Sequence, residues 1–237
     1  MHRAALSTLT LILILWHDSA FTAEALNIKR PSLVFTQTTL GHKFRCAHEA
    51  LTKAYRQLNY NVKFQTLPNK RALKEASNGN TDGEMLRVEG LDFQFPDLIR
   101  VPVALCAVES VVLAKANVKA TTFDQLFHYQ IGITSGFVDQ ERLAKQYSLN
   151  VTKVHQNEIL VKALFKNRVD AIFLTIKEAQ KIVNDNAGKY KIIASLNRDV
   201  YLYHYLHNKH ASLVPAITEQ LQIMEQTKQI NLKNILN

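Results

Sequence analysis

Cysteine is scarce: 2 in 237 residues, Cys46 and Cys106. That leaves no paired-cysteine zinc motif. In an oxidising compartment the two have one possible pairing. As separate thiols they would pack as small buried hydrophobes. Spacing along the chain does not choose between these, because the Cα separation does. The single tryptophan, Trp16, falls near the amino terminus. No Gly-rich phosphate loop or nucleophile elbow occurs, so no cofactor is expected. Internal repeats, low-complexity tracts and Pro-rich linkers are also missing. Beyond residue 25 no charge-poor apolar run approaches the length of a membrane span, so stable membrane insertion is not expected.

The first 25 residues have the form of an export signal. His2 and Arg3 precede an apolar run at 9–16 broken only by Thr10, and Ala23-Glu24-Ala25 has the small-x-small form of a cleavage site. The run is too short to span a bilayer comfortably. No cysteine follows it before Cys46, which argues against a lipoprotein anchor. The expectation is a periplasmic protein cleaved near Ala25. Removal of 1–25 takes Lys+Arg from 29 to 28 and Asp+Glu from 20 to 18, leaving a formal charge of +10. The basic residues are scattered, with no block of five or six, so they read as dispersed surface charge and not as a nucleic-acid footprint. With 47% hydrophobic and 21% charged residues the chain can build a core.

Strand and helix patterns alternate. Residues 32–36 read as a buried strand, 42–59 as an amphipathic helix and 62–67 as a second strand, a βαβ opening that implies a partly parallel sheet. The turn between them holds Thr36, Gln37, Thr38 and Thr39, which serve equally as ligand contacts or as cap and turn chemistry. Pro68, Ala72, Leu73 and Ala76 predict a helix ended by Asn78-Gly79. A short strand follows, carrying Met85, Leu86 and Arg87. Loops leaving strand carboxyl ends are where ligands sit in open α/β sheets. An arginine there can grip a carboxylate or phosphate through two parallel hydrogen bonds. Such a side chain is not core packing, so Arg87→Ala is expected to leave the fold intact. Arg71, earlier on the helix, is a weaker candidate.

Farther along, residues 98–105 read as an extended run broken by Pro102, and 109–115 as a separate strand. Thr122-Phe123-Asp124-Gln125 has the form of a capping box. Thr134-Ser135-Gly136 joins a strand to a helix, a unit that can present backbone N–H groups to an anion. It is also an ordinary connection between such elements. Strands at 151–154 and 169–174 flank a helix at 158–167. His204, His207 and His210 recur every third residue. With no carboxylate or cysteine beside them they read as solvated surface ahead of a zinc site, so no metal is expected.

The helix with Asn-Gly, then Asp-Gly-Glu, an arginine, and Pro-Asp-Leu-Ile-Arg-Val-Pro at 96–102 resembles bacterial extracellular solute-binding proteins of family 3, over nearly all of the chain after the leader. The resemblance implies an α/β, two-lobed type 2 periplasmic-binding-protein fold. Each lobe would be a mixed sheet flanked by helices, with two crossing segments joining them. Lobe one would comprise 26–108 plus 196–237 and lobe two 109–195, the chain returning at 191–195. It implies a monomer that captures a polar amino acid or related solute for an ABC-transporter permease or a sensor-kinase ectodomain. In such carriers the turn corresponding to Thr134, Ser135 and Gly136 holds the ligand's acidic group. The chain departs from them at two places. The position of their amine-binding aspartate is Thr175, and that of their carboxylate-binding arginine is Gln94, so Arg87 is the substitute.

Solute capture therefore leads, with a small polar or anionic ligand. Two other classes stand behind it: a dehydratase-like enzyme on the same scaffold, with Glu84, Glu89 or His155 as acid or base, and a cationic periplasmic interaction protein. A nucleophile–base pair is not among the turn residues, which favours binding over catalysis.

Overall fold

The computed structural model describes residues 30–232. The expected signal peptide at 1–25 lies outside them, as do residues 233–237 of the expected terminal helix. The opening unit is β1 (Ser32–Gln37), α1 (Arg45–Gln57) and β2 (Asn61–Thr66), with β1 and β2 parallel. Ala47, Ala50, Leu51, Ala54 and Tyr55 fall at i, i+3, i+4, i+7 and i+8 of α1, and all are buried in one core with Leu33 and Phe35. α2 (Asn69–Ser77) starts after Pro68, whose missing N–H costs a helix start nothing. It buries Asn69, Ala72, Leu73 and Ala76. Its end is set by Gly79 at φ +75°, the left-handed conformation that an L side chain rarely adopts.

β3 (Gly83–Val88) runs parallel to β1. Gly83 is required by close approach, since a Cβ there would lie 2.1 Å from the Tyr205 carbonyl oxygen. β4 (Leu98–Lys115) is one continuous strand of 18 residues. The expected break at Pro102 is a local register shift between Arg100 and Ala104, which is how a strand accommodates a residue without an N–H. The chain then builds β5 (Gln130–Thr134), α3 (Val138–Gln146), β6 (Asn150–Val154), α4 (Asn157–Phe165), β7 (Ala171–Thr175), α5 (Ile176–Asp185) and β8 (Tyr190–Ile192). It returns as β9 (Arg198–His207) and ends in α6 (Val214–Gln226).

The strand order is β2-β1-β3-β9-β4-β7-β5-β6, with β8 against the far end of β4. Cores divide along β4. Met85, Val103, Leu105 and Leu206 join the α1 core with Ile217 and Leu221 of α6. Farther along β4 the alternation of a strand separates two more. Val112 packs with Ile131 and Phe173, while Val111 and Leu113 pack with Leu160 and Leu174 on the other face. Cys106 is buried in the first core. The Cys46 side chain lies outside the described residues, and with it the pairing of the two cysteines.

Three expectations need correction. The chain does not return at 191–195, because Tyr190–Ile192 still pairs with β4 at Leu113, Ala114 and Lys115. The return is β9 itself, antiparallel to β4 from Ser110 opposite Arg198 to Leu98 opposite His207. The capping box forms elsewhere than at 122–125. The short 3-10 turn at Asp124–His128 has no side-chain cap, whereas Thr175 and Glu178 cap α5 reciprocally. His204 is fully buried on β9, not solvated. It is bound to the Tyr55 hydroxyl through Nε2 at 2.9 Å and to the Glu84 carbonyl through Nδ1 at 2.7 Å.

Candidate functional site

Where β4 and β9 cross between the two sets of cores, a cavity of about 140 Å³ opens. Its walls are mainly apolar, with Phe44, Met85 and Leu86 on one side and Phe137, Phe173 and Leu174 on the other. Among the sequence-predicted residues, Gln37, Thr38, Arg87, Gly136 and Thr175 line it. Thr39 and Thr134 lie at a neighbouring opening with Lys43 and His155. Thr36 is fully buried, its hydroxyl within reach of the carbonyls of Ala72 and Gly83. Ser135 is buried behind the turn and does not line the cavity. Arg71 is exposed on α2 beside Glu75 and takes no part.

Arg87 is placed at the wall but is already engaged. Its side chain is 8% exposed, with Nη2 2.7 Å from Glu84 Oε1. Nη2 also donates to the Asn69 carbonyl at 3.2 Å, and Nη1 to the Gly136 carbonyl at 3.5 Å. Burial pushes the Glu84 carboxyl up, and the Arg87 guanidinium pulls it back. The pairing depends on an irregularity. In a regular strand residues three apart face opposite sides, but a register shift between Glu84 and Arg87 against β9 inserts one extra residue. Both side chains then meet. Arg87 is thus part of the packed interior, contrary to the expectation that its loss would leave the fold intact.

The Thr134-Ser135-Gly136 turn is likewise saturated. The Thr134 N–H donates to Gln140 Oε1 at 2.9 Å, Ser135 N–H to the Val154 carbonyl at 2.7 Å, and Gly136 N–H to Glu141 Oε1 at 3.3 Å. The protein's own glutamate stands where an anion was expected. The Thr134 hydroxyl donates to Asn157 Oδ1, and the Thr175 hydroxyl is used in its capping box. Asp139, also at the wall, is bonded to Arg142 at 3.0 Å and to Arg198. Of the charged side chains lining the cavity, Arg87 is paired with Glu84 and Asp139 with Arg142 and Arg198, while Glu178 accepts from the Thr175 N–H and hydroxyl.

Gln37 is different. It is 6% exposed; Nε2 donates to Thr66 Oγ1 at 2.8 Å, and among the described residues Oε1 has no partner, a feature it shares with Nε of Arg87. Among the described residues, no group of three His, Cys, Asp or Glu side chains could hold a metal ion.

The two sides of the cavity touch. The Asn69 side-chain amide donates to the Ser135 carbonyl, Arg142 donates to the Glu89 carbonyl, and Val138 packs with Leu73, Ala76, Leu91 and Tyr205. Gly136, at φ +81°, allows this approach, since a Cβ there would lie 2.8 Å from Asn69 Cβ and 3.1 Å from the Lys70 nitrogen. Gly136→Val should therefore push the two sides apart, beyond the roughly 1–2 kcal/mol cost of a left-handed L residue. Small-angle scattering should record a larger radius of gyration than for the wild type.

Solved structures give the comparison. A histidine kinase sensor domain with similarity to periplasmic binding proteins aligns over 88% of this chain and 99% of its own, at TM-score 0.70 and 12% identity. An ancestral arginine-binding protein bound to arginine aligns over 85% and 96%, at TM-score 0.65 and 14% identity. The fold is that of the periplasmic binding proteins. The GluR0 ligand-binding core of Nostoc punctiforme, in complex with L-glutamate, shares this periplasmic-binding-protein fold over 84% of the chain and 95% of its own, at TM-score 0.65 and 13% identity. No family model matches the sequence. An uncharacterised protein of Shewanella oneidensis is 22% identical over 192 residues, 77% of this chain and 72% of its own. Among the described residues, no helix of this periplasmic-binding-protein fold is long and apolar enough to cross a membrane.

The residues missed from sequence are the apolar walls, together with Asp139, Gln140 and Asn157. Leucines and phenylalanines of a wall carry no signal that separates them from core. Glu178 was findable, because Thr175-Ile176-Lys177-Glu178 has the spacing of a capping box.

Proposed function

We propose that this is a periplasmic solute-binding protein whose two lobes close on one small molecule, which it delivers to an ABC-transporter permease or presents to a sensor. Lobe one is drawn from the chain before residue 109 and after the return along β9, and lobe two from the chain between them. The observation that carries the reading is the cavity at the strand crossing, walled from both sides. Closure on a ligand is favoured only when the ligand has more affinity for the closed form, which a cavity with two-sided walls supplies. The similar structures support it, since their names describe amino-acid binding and a sensor domain. The anionic form of the ligand is not retained, because Arg87 and the turn at 134–136 are both occupied by internal partners. Catalysis has less support. Glu84 is held by Arg87, and Glu89 pairs with Arg100.

A melting screen over amino acids, carboxylates, sugars and small neutral solutes tests the reading. A solute bound only by the folded protein, at a hundred times its dissociation constant, should add about 2.7 kcal/mol of stability. Trp16 falls in the leader, so an external dye is the better reporter. A panel without one stabilising solute would contradict capture.

A further inference from the structure

Thr134 holds two side-chain amides by their oxygens. Its backbone N–H donates to Gln140 Oε1 at 2.9 Å, and its hydroxyl donates to Asn157 Oδ1 at 2.8 Å. The two amides come from different helices, Gln140 from the first turn of α3 and Asn157 from the start of α4. An amide whose oxygen is fixed must present its NH2 group the other way. Both residues line the cavity, and Gln140 is only 8% exposed. Neither amide nitrogen has a hydrogen-bond partner among the described residues, and neither is sealed off by protein. The Gln37 oxygen and Arg87 Nε also lack partners, but those atoms are enclosed beyond a solute's reach.

Two NH2 donors at one wall suit an oxygen acceptor, and a nearly buried donor left unmatched is costly. Being neutral, they do not require that acceptor to be charged. A carboxylate would also meet Glu178, the one charged side chain of the wall that no salt bridge neutralises among the described residues. A carbonyl oxygen avoids that repulsion, and a nitrogen on the same solute can donate to Glu178. Phe137, Phe173 and Leu174 remain for the apolar body. The cavity, about 140 Å³, has the size that holds one molecule of about benzene's volume.

We propose that Thr134 is a positioning residue that sets Gln140 and Asn157 as paired amide donors for a carbonyl oxygen of the captured solute. This rests on the capture reading above and adds the residues and the acceptor group that set its specificity.

The test uses the mature chain and four probes at matched concentration: propionamide, L-alaninamide, L-alanine and propylamine. Binding is read by melting shift and by NMR titration of the side-chain NH2 resonances. Propionamide and L-alaninamide should bind, L-alanine should fall within about tenfold of L-alaninamide, and propylamine, without an acceptor, should not bind. The Gln140 and Asn157 resonances, identified by their loss in Gln140→Glu and Asn157→Asp, should move on adding propionamide. Each of these substitutions keeps the oxygen that Thr134 holds and turns the donor into a second acceptor, so each should weaken propionamide about tenfold or more. Thr134→Val removes only the hydroxyl, so the Asn157 resonance alone should lose its response, and Thr134→Ser should recover it. Propionamide binding that moves neither resonance would overturn the donor pair. Both responses intact in Thr134→Val would overturn the positioning role. L-Alanine bound with both amide probes inert would mean that a charged group takes the acceptor, which also overturns the neutral pair. Four inert probes beside a stabilising solute of the wider panel would overturn the carbonyl class and leave capture standing. No response to any solute would overturn capture as well.

Discussion

Arg87→Ala should cost the protein about 3–5 kcal/mol of stability, the usual penalty for stranding one member of a buried ion pair. Glu84 is fully buried, and its carboxylate is paired with Arg87 at 2.7 Å. Without the guanidinium, its charge would face the interior uncompensated or would have to be neutralised by a proton. For a chain of this size the loss corresponds to a drop of roughly 6–20 °C in melting temperature. The double replacement Glu84→Gln with Arg87→Met should recover most of it, because a neutral pair of similar volume removes the desolvation cost from both sides. Urea unfolding of the wild type, the single variant and the double variant gives the comparison. A single variant as stable as the wild type would mean that the pair is not held as the structure has it.

Acidification should weaken the fold between pH 6.5 and about 4, through His204. Burial lowers its imidazole to about 4, against 6.5 in an exposed chain. In that window the unfolded chain binds a proton that the folded chain refuses, so stability falls as pH falls. The full effect is on the order of 3 kcal/mol. Glu84 works in the opposite direction. Burial raises its carboxyl above 4.5, so the folded protein takes up that proton first and gains stability as pH falls through the raised value. In Glu84→Gln the opposing contribution is gone, and stability should decline more steeply from pH 7 to 4.5 than in the wild type. His204→Gln should flatten the decline. Unfolding free energies measured at both pH values decide it, and equal slopes in all three proteins would exclude this role for His204.

Much of the fold was legible because its signals are local. The 3.6-residue rhythm of Ala47, Leu51, Ala54 and Tyr55 gave α1, and Pro68 with Asn78-Gly79 bracketed α2 to within a residue or two. Joining 98–105 to 109–115 was not legible, since Pro102 looks like a stop until its strand partner is known. The return strand was obscured for a related reason. Tyr201-Leu202-Tyr203-His204-Tyr205 has no polar alternation, because its histidine goes inward to Tyr55 and Glu84.

At the site, the sequence singled out one strand and one turn, and both reach the cavity wall already holding internal partners. Arg87 and Gly136 do line the cavity. What a linear reading cannot supply is the irregularity in β3 that turns Glu84 toward Arg87 across three residues. Nor could it supply the curl of α3 that returns Gln140 and Glu141 onto the preceding turn. Both events are set by pairing partners distant in sequence or by side-chain direction, and they convert two anion grips into internal contacts.

Small-angle scattering with and without solute is the most direct test of capture between lobes. The protein is first freed of any co-purifying ligand, then saturated with the solute that gives the largest melting shift. The radius of gyration should fall on saturation in the wild type. In Gly136→Val it should start larger and respond little, because the added side chain meets Asn69 and the Lys70 backbone. A wild-type scattering curve unchanged at saturating ligand would mean that the solute enters a rigid site, which contradicts closure of two lobes around it.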